Sequence, residues 1–321
     1  MQRDENSLAS LRGKPSQPGI TAVLGGTGFL GGRIVRTLSN EGHHVRVAVR
    51  HPERAAHDAL PDDVERVQAD VTHVGSLRAA LQHATGVVNA VSLYSERGPL
   101  TFEAVHVEGA RNVAMVARQV GARLVHVSGI GSDPEATDGY VRARGKGEQA
   151  VRDAHPAAVI LRSAVMFGPA DSFLTTLMNL VQRSPVYPVF GKGATKLQPV
   201  HVEDVAAAVA CLFKCSDPAR LYEVAGPDVF TYRQLLRHIA DRAGVRARFL
   251  PLPFPVWTGL ACFAEHMPGA PLTRHQVALM RIDNVADPDV PGLSDLGLAP
   301  EHIDALLDRR LQKASSTKGI G

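Results

Sequence analysis

The chain has 321 residues, 45% of them hydrophobic and 21% charged, with a formal net charge of +3. This composition excludes a disordered chain or a disulfide-framed mini-domain, and the length suits one large domain or a domain with a smaller companion. Basic and acidic residues are interleaved, which suits an anionic ligand and argues against a nucleic-acid partner.

Residues 1–18 are polar and lack an apolar core segment, so they read as a flexible tail and not as a secretory signal. No stretch approaches the roughly 20 apolar residues that a membrane span needs, and the expected location is the cytoplasm. The first strand runs from Ile20 to Gly25. A glycine-rich turn follows, then an amphipathic helix to about Asn40. HVRVAV is the second strand, ending at Arg50, and ERVQADV is the third. Val74 to Ala84 reads as a helix, GVVNAVS as the fourth strand, Phe102 to Val120 as one long helix and RLVHVSG as the fifth strand. A helix from Tyr140 to Ala154 and the strand AAVILRS complete the first half.

This alternation predicts an α/β fold, a Rossmann-type doubly wound parallel sheet. Its domain covers residues 19–167. Beyond it, residues 168–311 carry more Pro and aromatic residues and shorter strands. They read as a smaller, mostly helical substrate or partner lobe with strands returning to the core. Residues 312–321 read as a second flexible tail.

The turn Gly25-Gly26-Thr27-Gly28-Phe29-Leu30-Gly31 has the spacing G-x-x-G-x-x-G between an apolar strand and a helix. Gly25 suits the tight turn, Gly28 the approach of a pyrophosphate, and Gly31 close packing of helix on strand. The helix start offers free N–H groups and a positive dipole end to phosphates. The second strand ends Val47-Ala48-Val49-Arg50 with no acid, where NAD-binding sites usually place Asp or Glu. Arg50 suits a 2′-phosphate, which favours NADP(H) and leaves NAD(H) open. Arg46 and Arg54 lie nearby and read as solvated. Asp70 and Val71 end the third strand, where the carboxylate suits an adenine amino group or an ordinary capping bond. Ala90, Val91 and Ser92 at the fourth strand's end are small enough to let a ribose pass.

Ser128 ends the fifth strand and Tyr140 starts the following helix. A Ser–Tyr pair with a nearby cation suits hydride transfer between a carbinol and a nicotinamide: Tyr moves the proton, Ser positions the oxygen, and the cation eases proton loss. With GGTGFLG, Ser128, Tyr140 and LRSAVMFGP, the chain resembles the short-chain dehydrogenase/reductase superfamily. VHVEGARNVAMVAR, QPVHVEDVAAAV and YEVAGPDVFTYRQLL are similar to its extended and atypical, epimerase/dehydratase-like branch. The similarity is greatest to bacterial relatives of the nucleotide-binding accessory subunit of respiratory complex I.

That resemblance implies a Tyr-x-x-x-Lys pattern, which here reads Tyr140 to Arg144, with Arg for Lys. At about 100° per residue, Arg144 lies about 40° from Tyr140 around the helix and Lys146 about 240° away. Arg144 therefore keeps the positive charge on the Tyr140 face, with a bulkier fork than Lys.

The fourteen His residues are scattered without metal-ligand spacing, so no metal site is expected. Cys211, Cys215 and Cys262 read as packed thiols. The stretch from Pro251 to Glu265 carries the single Trp. It could cover an apolar substrate, touch a membrane surface, dock on a protein partner, or simply pack. Two functions follow. One is an NADP(H)-dependent oxidoreductase, or an epimerase or dehydratase variant of it, acting on an apolar carbonyl, alcohol or quinone-like compound. The other is a non-catalytic dinucleotide-binding accessory protein at a respiratory or membrane-associated partner, peripheral to a membrane's inner face.

Overall fold

In the computed structural model, residues 19–54, 60–183, 186–265 and 272–318 are described. The tail expected over residues 1–18 and the Arg54 side chain lie outside them. The Val- and Leu-rich runs and the amphipathic segments between them alternate as β1 (Ile20–Leu24), α1 (Phe29–Asn40), β2 (His44–Val49), β3 (Glu65–Gln68), α2 (Val74–Ala80), β4 (Ala84–Asn89), α3 (Gly109–Gln119), β5 (Arg123–Gly129), α4 (Gly139–Ala154) and β6 (Val159–Ser163). The second half continues with β7 (Met166–Phe167), α5 (Phe173–Arg183), β8 (Val186–Phe190), β9 (Lys196–Leu197), β10 (Val200–His201), α6 (Val202–Lys214), β11 (Leu221–Val224), β12 (Phe230–Thr231), α7 (Tyr232–Arg242), β13 (Arg248–Leu252), α8 (Phe254–Ala264), α9 (Arg274–Leu279) and α10 (Ile303–Lys318).

Seven strands form one sheet in the order β11-β6-β5-β4-β1-β2-β3, with every pairing parallel. Their near-continuous apolar runs reflect burial on both faces. On one face Val23, Val47 and Val125 pack with Ile34 and Leu38 of α1 and Val205 and Val209 of α6. On the other, Leu24, Val87 and Leu124 pack with Leu77 of α2 and Val113 of α3. The order reverses between β1 and β4, so their following loops diverge and leave a crevice at the strands' C-terminal ends, where ligands bind in such sheets.

Three features go beyond the sequence reading. The helix expected over Phe102 to Val120 opens as a π-helix, Glu103–Glu108, before becoming α3. Wide π turns recur at functional sites, and this one carries His106 toward the crevice. Second, a helix, α6, joins the first domain as well as a strand, β11. The helix packs beside α1, and the strand pairs with β6 from Leu221 opposite Ile160 to Val224 opposite Ser163. Third, α10 carries the backbone of residues 312–318, part of the tail expected over 312–321. The good helix formers Gln312, Lys313 and Ala314 lie there.

The smaller lobe has its own core, with Phe167, Leu174, Tyr187, Leu235, Ile239 and Leu307 buried together. Asn284 staples it to the sheet domain: its side chain accepts from Val165 N–H at 2.6 Å and donates to the Ile130 carbonyl at 3.2 Å. Deeper, Glu148 of α4 is 1% exposed and accepts from Arg162 Nε at 2.9 Å and Nη2 at 2.8 Å. Arg162 Nη1 also donates to Glu223 of β11 at 3.1 Å, and Glu223 accepts from Asp287 N–H at 2.9 Å. This chain of bonds locks α4, β6, β11 and the C-terminal segment in register. Removing one partner from such a buried pair typically costs about 3–5 kcal/mol.

Candidate active site

The glycine turn spans from β1 to α1. Gly25 has φ +77°, and a Cβ there would lie 2.8 Å from the Ala90 carbonyl oxygen, so only glycine fits against the end of β4. A Cβ at Gly31 would lie 2.0 Å from the Gly25 carbonyl oxygen, so the helix sits on the turn only because that atom is missing. Gly28 N–H donates to Gly25 O at 2.9 Å and starts α1 with no side-chain cap. The first-turn N–H groups are therefore left to solvent or a ligand. Thr27 and Gly28 are exposed, Phe29 is half-buried, and the Leu30 side chain joins the core, leaving its backbone to the turn.

Arg50 lies exposed just beyond β2, and among the described residues none bonds its guanidinium. Arg46, by contrast, is structural: it donates to Glu65 at 2.7 Å and to the carbonyls of Ala80 and Gln82. Asp70 forms a local turn, accepting from Thr72 N–H at 2.9 Å and Thr72 Oγ1 at 2.7 Å through one oxygen. Burial pushes its carboxyl up, but the Thr72 bonds and the nearby Arg50 charge outweigh this and hold it below its ordinary value. The Val71 carbonyl accepts from Asn112 at 3.1 Å. Ala90 and Val91 are half-buried and Ser92 exposed along the crevice.

Tyr140 is 3% exposed in the first turn of α4. Its ring meets Tyr94 at 5.8 Å, Phe102 at 5.5 Å and His106 at 5.5 Å between centroids. Arg144 Nη1 donates to the Tyr140 hydroxyl at 3.3 Å, and its guanidinium carbon lies 5.4 Å from the ring centre. Lys146 is exposed. Burial, and the nearby Arg144 charge among lesser causes, push His106 and His126 down to about 4, so both rings are neutral around pH 7.

Ser128, expected to anchor a substrate oxygen, is placed otherwise. Its hydroxyl donates to Glu148 at 2.6 Å and lies 3.1 Å from Ser132 Oγ, inside the buried network that fixes α4. Alternation along β5 turns the next position, Gly129, toward Arg144 instead.

Two further residues stand beside Tyr140, of which Asp138 has a local signal as an Asp before a helix and His275 has none. Asp138 caps α4, accepting from Tyr140 N–H at 3.0 Å and Val141 N–H at 3.1 Å, while His275 of α9 bonds its other oxygen at 2.8 Å. The His275 ring also meets Phe102 edge-on at 4.9 Å. The second lobe thus reaches the Tyr140 helix through a residue far away in sequence. Among the described residues no cluster of side chains suits a metal ion, and no helix is long and apolar enough to cross a membrane.

A seven-stranded parallel sheet with a glycine turn at its switch point, and Tyr140 with Arg144 beside it, defines a Rossmann-type fold of the extended short-chain dehydrogenase/reductase class. The chain belongs to the NAD dependent epimerase/dehydratase family, whose description matches residues 21–225. It is 34% identical over 264 residues to the mitochondrial NADH dehydrogenase [ubiquinone] 1 alpha subcomplex subunit 9 of Arabidopsis thaliana, covering 79% of this chain and 66% of that protein. It is 33% identical over 241 residues to a ceramide reductase of Caulobacter vibrioides, covering 74% of each. In fold it is similar to an NADPH-dependent quinone oxidoreductase of Escherichia coli solved with NADPH, with a TM-score of 0.72, 19% identity, and 90% of this chain and 99% of that one covered.

The Asp138–His275 contact makes the lobe junction sensitive to pH. The bond to Asp138 raises His275 from its ordinary 6.5, against burial. Burial pushes Asp138 up, but the His275 bond and two backbone N–H groups lower it overall from 3.8. A raised imidazole contributes fully below 6.5 and loses that contribution as pH rises through its folded value. A lowered carboxyl contributes above 3.8 and loses it as pH falls. His275→Ala is therefore expected to cost about 1 kcal/mol between these limits and much less in alkali. Thermal melts across pH check this, and an equal loss at every pH contradicts it.

Proposed function

We propose that the chain binds NADP(H) and transfers hydride between it and an apolar carbonyl, alcohol or quinone-like substrate. The observation that carries this reading is the uncapped start of α1 on the glycine turn at the switch point, and the Tyr140–Arg144 pair on α4 supports it. Gly25 and Gly31 let the turn close tightly under the helix, and the exposed, side-chain-free backbone at Gly28 suits a diphosphate on the backbone N–H groups of Phe29 and Leu30. Arg50 would pair the 2′-phosphate. Asp70 and Val71 would flank the adenine, Asp70 through the oxygen that Thr72 leaves free, and Ala90, Val91 and Ser92 would border the ribose. A bound nicotinamide supplies or accepts the hydride. Tyr140 moves the proton at the substrate oxygen, and Arg144 holds positive charge against the phenol. Membership of an NAD-dependent family and a reductase among the relatives support this.

Tyr140→Phe is expected to lower kcat about a hundredfold or more while leaving the NADPH dissociation constant within about twofold. Unchanged turnover in an assay where the native protein works would remove Tyr140 from the acid–base role. Arg50→Ala is expected to weaken NADPH at least about tenfold more than NADH, the scale of a charge-assisted phosphate contact. Equal losses in a fluorescence titration would remove Arg50 from the 2′-phosphate.

A second reading has its own observation. The segment from Phe249 to Ala264 contains no charged residue, and α8 is apolar all round. Phe254 and Trp257 face Phe190, while Val256, Leu260 and Phe263 form an outward stripe at 46%, 51% and 77% exposure. Arg281 lies 4.6 Å from the Phe254 ring, and Arg237 and Arg248 are exposed by β13. An apolar stripe on a lobe that also exposes these Arg residues suits a surface of anionic lipid, where the protein would serve as a peripheral accessory stabilised by its dinucleotide. Leu260→Glu with Phe263→Glu should abolish sedimentation with phosphatidylglycerol vesicles without changing NADPH binding. Retained sedimentation, or a change of oligomeric mass instead, would count against it.

A further inference from the structure

Replacement of Lys by Arg at position 144 is accompanied by a missing side chain opposite it. A Cβ built on Gly129 would lie 2.2 Å from Arg144 Nη2, 2.5 Å from Nη1 and 2.7 Å from Cζ. A side chain at 129 and this guanidinium cannot share that volume. Ser128, one residue earlier, is turned away, with its hydroxyl held between Glu148 and Ser132. Glu148 lies one helical turn beyond Arg144, but its oxygens accept from Ser128, Arg162 and Arg152. Among the described residues no carboxylate bonds Arg144, and the buried His106 and His126 rings beside it are neutral around pH 7.

We infer that Arg144 does the work of two groups, the cation beside the acid–base tyrosine and the donor that anchors the substrate oxygen, and that Gly129 is the positioning residue that makes room for it. The inference rests on the reading of Tyr140 as acid and base. The guanidinium is a planar fork whose donors point in fixed directions. Nη1 faces the Tyr140 hydroxyl, and Nη2 lies over the bare backbone of Gly129, free to donate to a carbonyl or quinone oxygen. In the reductive direction, hydride from NADPH adds to the carbonyl carbon and its π pair moves to the oxygen that Nη2 holds. The Tyr140 proton passes to that oxygen, leaving NADP⁺ and a phenolate that solvent reprotonates.

The experiment pairs substitutions with two measurements. Alkaline ultraviolet titration reads the phenol that Tyr140→Phe deletes, and NADPH-driven reduction of menadione reads turnover. Gly129→Ala and Gly129→Ser displace the fork, and each is expected to move that titration upward, as loss of a nearby positive charge does, and to raise the menadione KM. Gly129→Ser with Arg144→Lys, a slimmer cation beside a restored hydroxyl, is expected to return both toward the native values. Thermal melts identify any variant that fails to fold. In that event Arg144→Ala, which creates no clash, carries the same upward shift. An unmoved titration in Gly129→Ala or Arg144→Ala, or a double variant no better than Gly129→Ser, overturns the pairing. Absence of reduction by the native protein across carbonyls and quinones sinks the acid–base reading instead, and the titration still reports on the Gly129–Arg144 pair.

Discussion

Close approach of Gly31 to the Gly25 carbonyl, with Gly25 itself pressed on Ala90, sets the position of everything at the crevice. It fixes where α1 begins, and so where its unpaired N–H groups point, relative to the ends of β1 and β4. Arg50 and Asp70 follow β2 and β3, the next strands in the sheet on one side, and Tyr140 opens the helix that follows β5, beyond β4 on the other. A methyl group at 31 would force the helix off the strand, and the distances from turn to Arg50 and from turn to Tyr140 would change together.

The other side of the crevice depends on electrostatics. Burying Glu148 at 1% exposure is tolerable because Arg162 meets it with two nitrogens and Ser128 with a short hydroxyl bond. These bonds hold α4 against β5 and β6, and α4 carries Tyr140 and Arg144 in the two turns before Glu148. Ser128 thus fastens the helix that carries Tyr140.

Much of this architecture was legible in the sequence because it is local. The alternation of apolar strands and amphipathic helices, the glycine spacing and the helical offset from Tyr140 to Arg144 are all short-range patterns. What escaped depends on long-range contacts. The orientation of Ser128 is decided by Glu148, twenty residues away, and by Arg162 beyond it. His275 reaches Asp138 across 137 positions, and no periodicity signals that. Phe102 to Val120 has the pattern of an ordinary helix, and the π turn within it reflects packing against α4. The last helix was not singled out in the sequence, and it runs past residue 311, where the smaller lobe was expected to end, because weak helix signals extend when their first turns are anchored: Ile303, Leu306 and Leu307 are buried in the smaller lobe.

Asn284 gives the two lobes a shared fate. The family match ends at residue 225, yet the N–H of Val165 and the carbonyl of Ile130, both inside that span, find their partners on this one amide far downstream. A polypeptide cut back to the matched span would leave those groups, and the sheet edge that Leu197 shares with Asn284, without their native bonds. The dinucleotide half is therefore no detachable module. Natural fusions, split-protein reporters and expression trials on this scaffold must carry the downstream residues along, or supply a substitute for that single carboxamide.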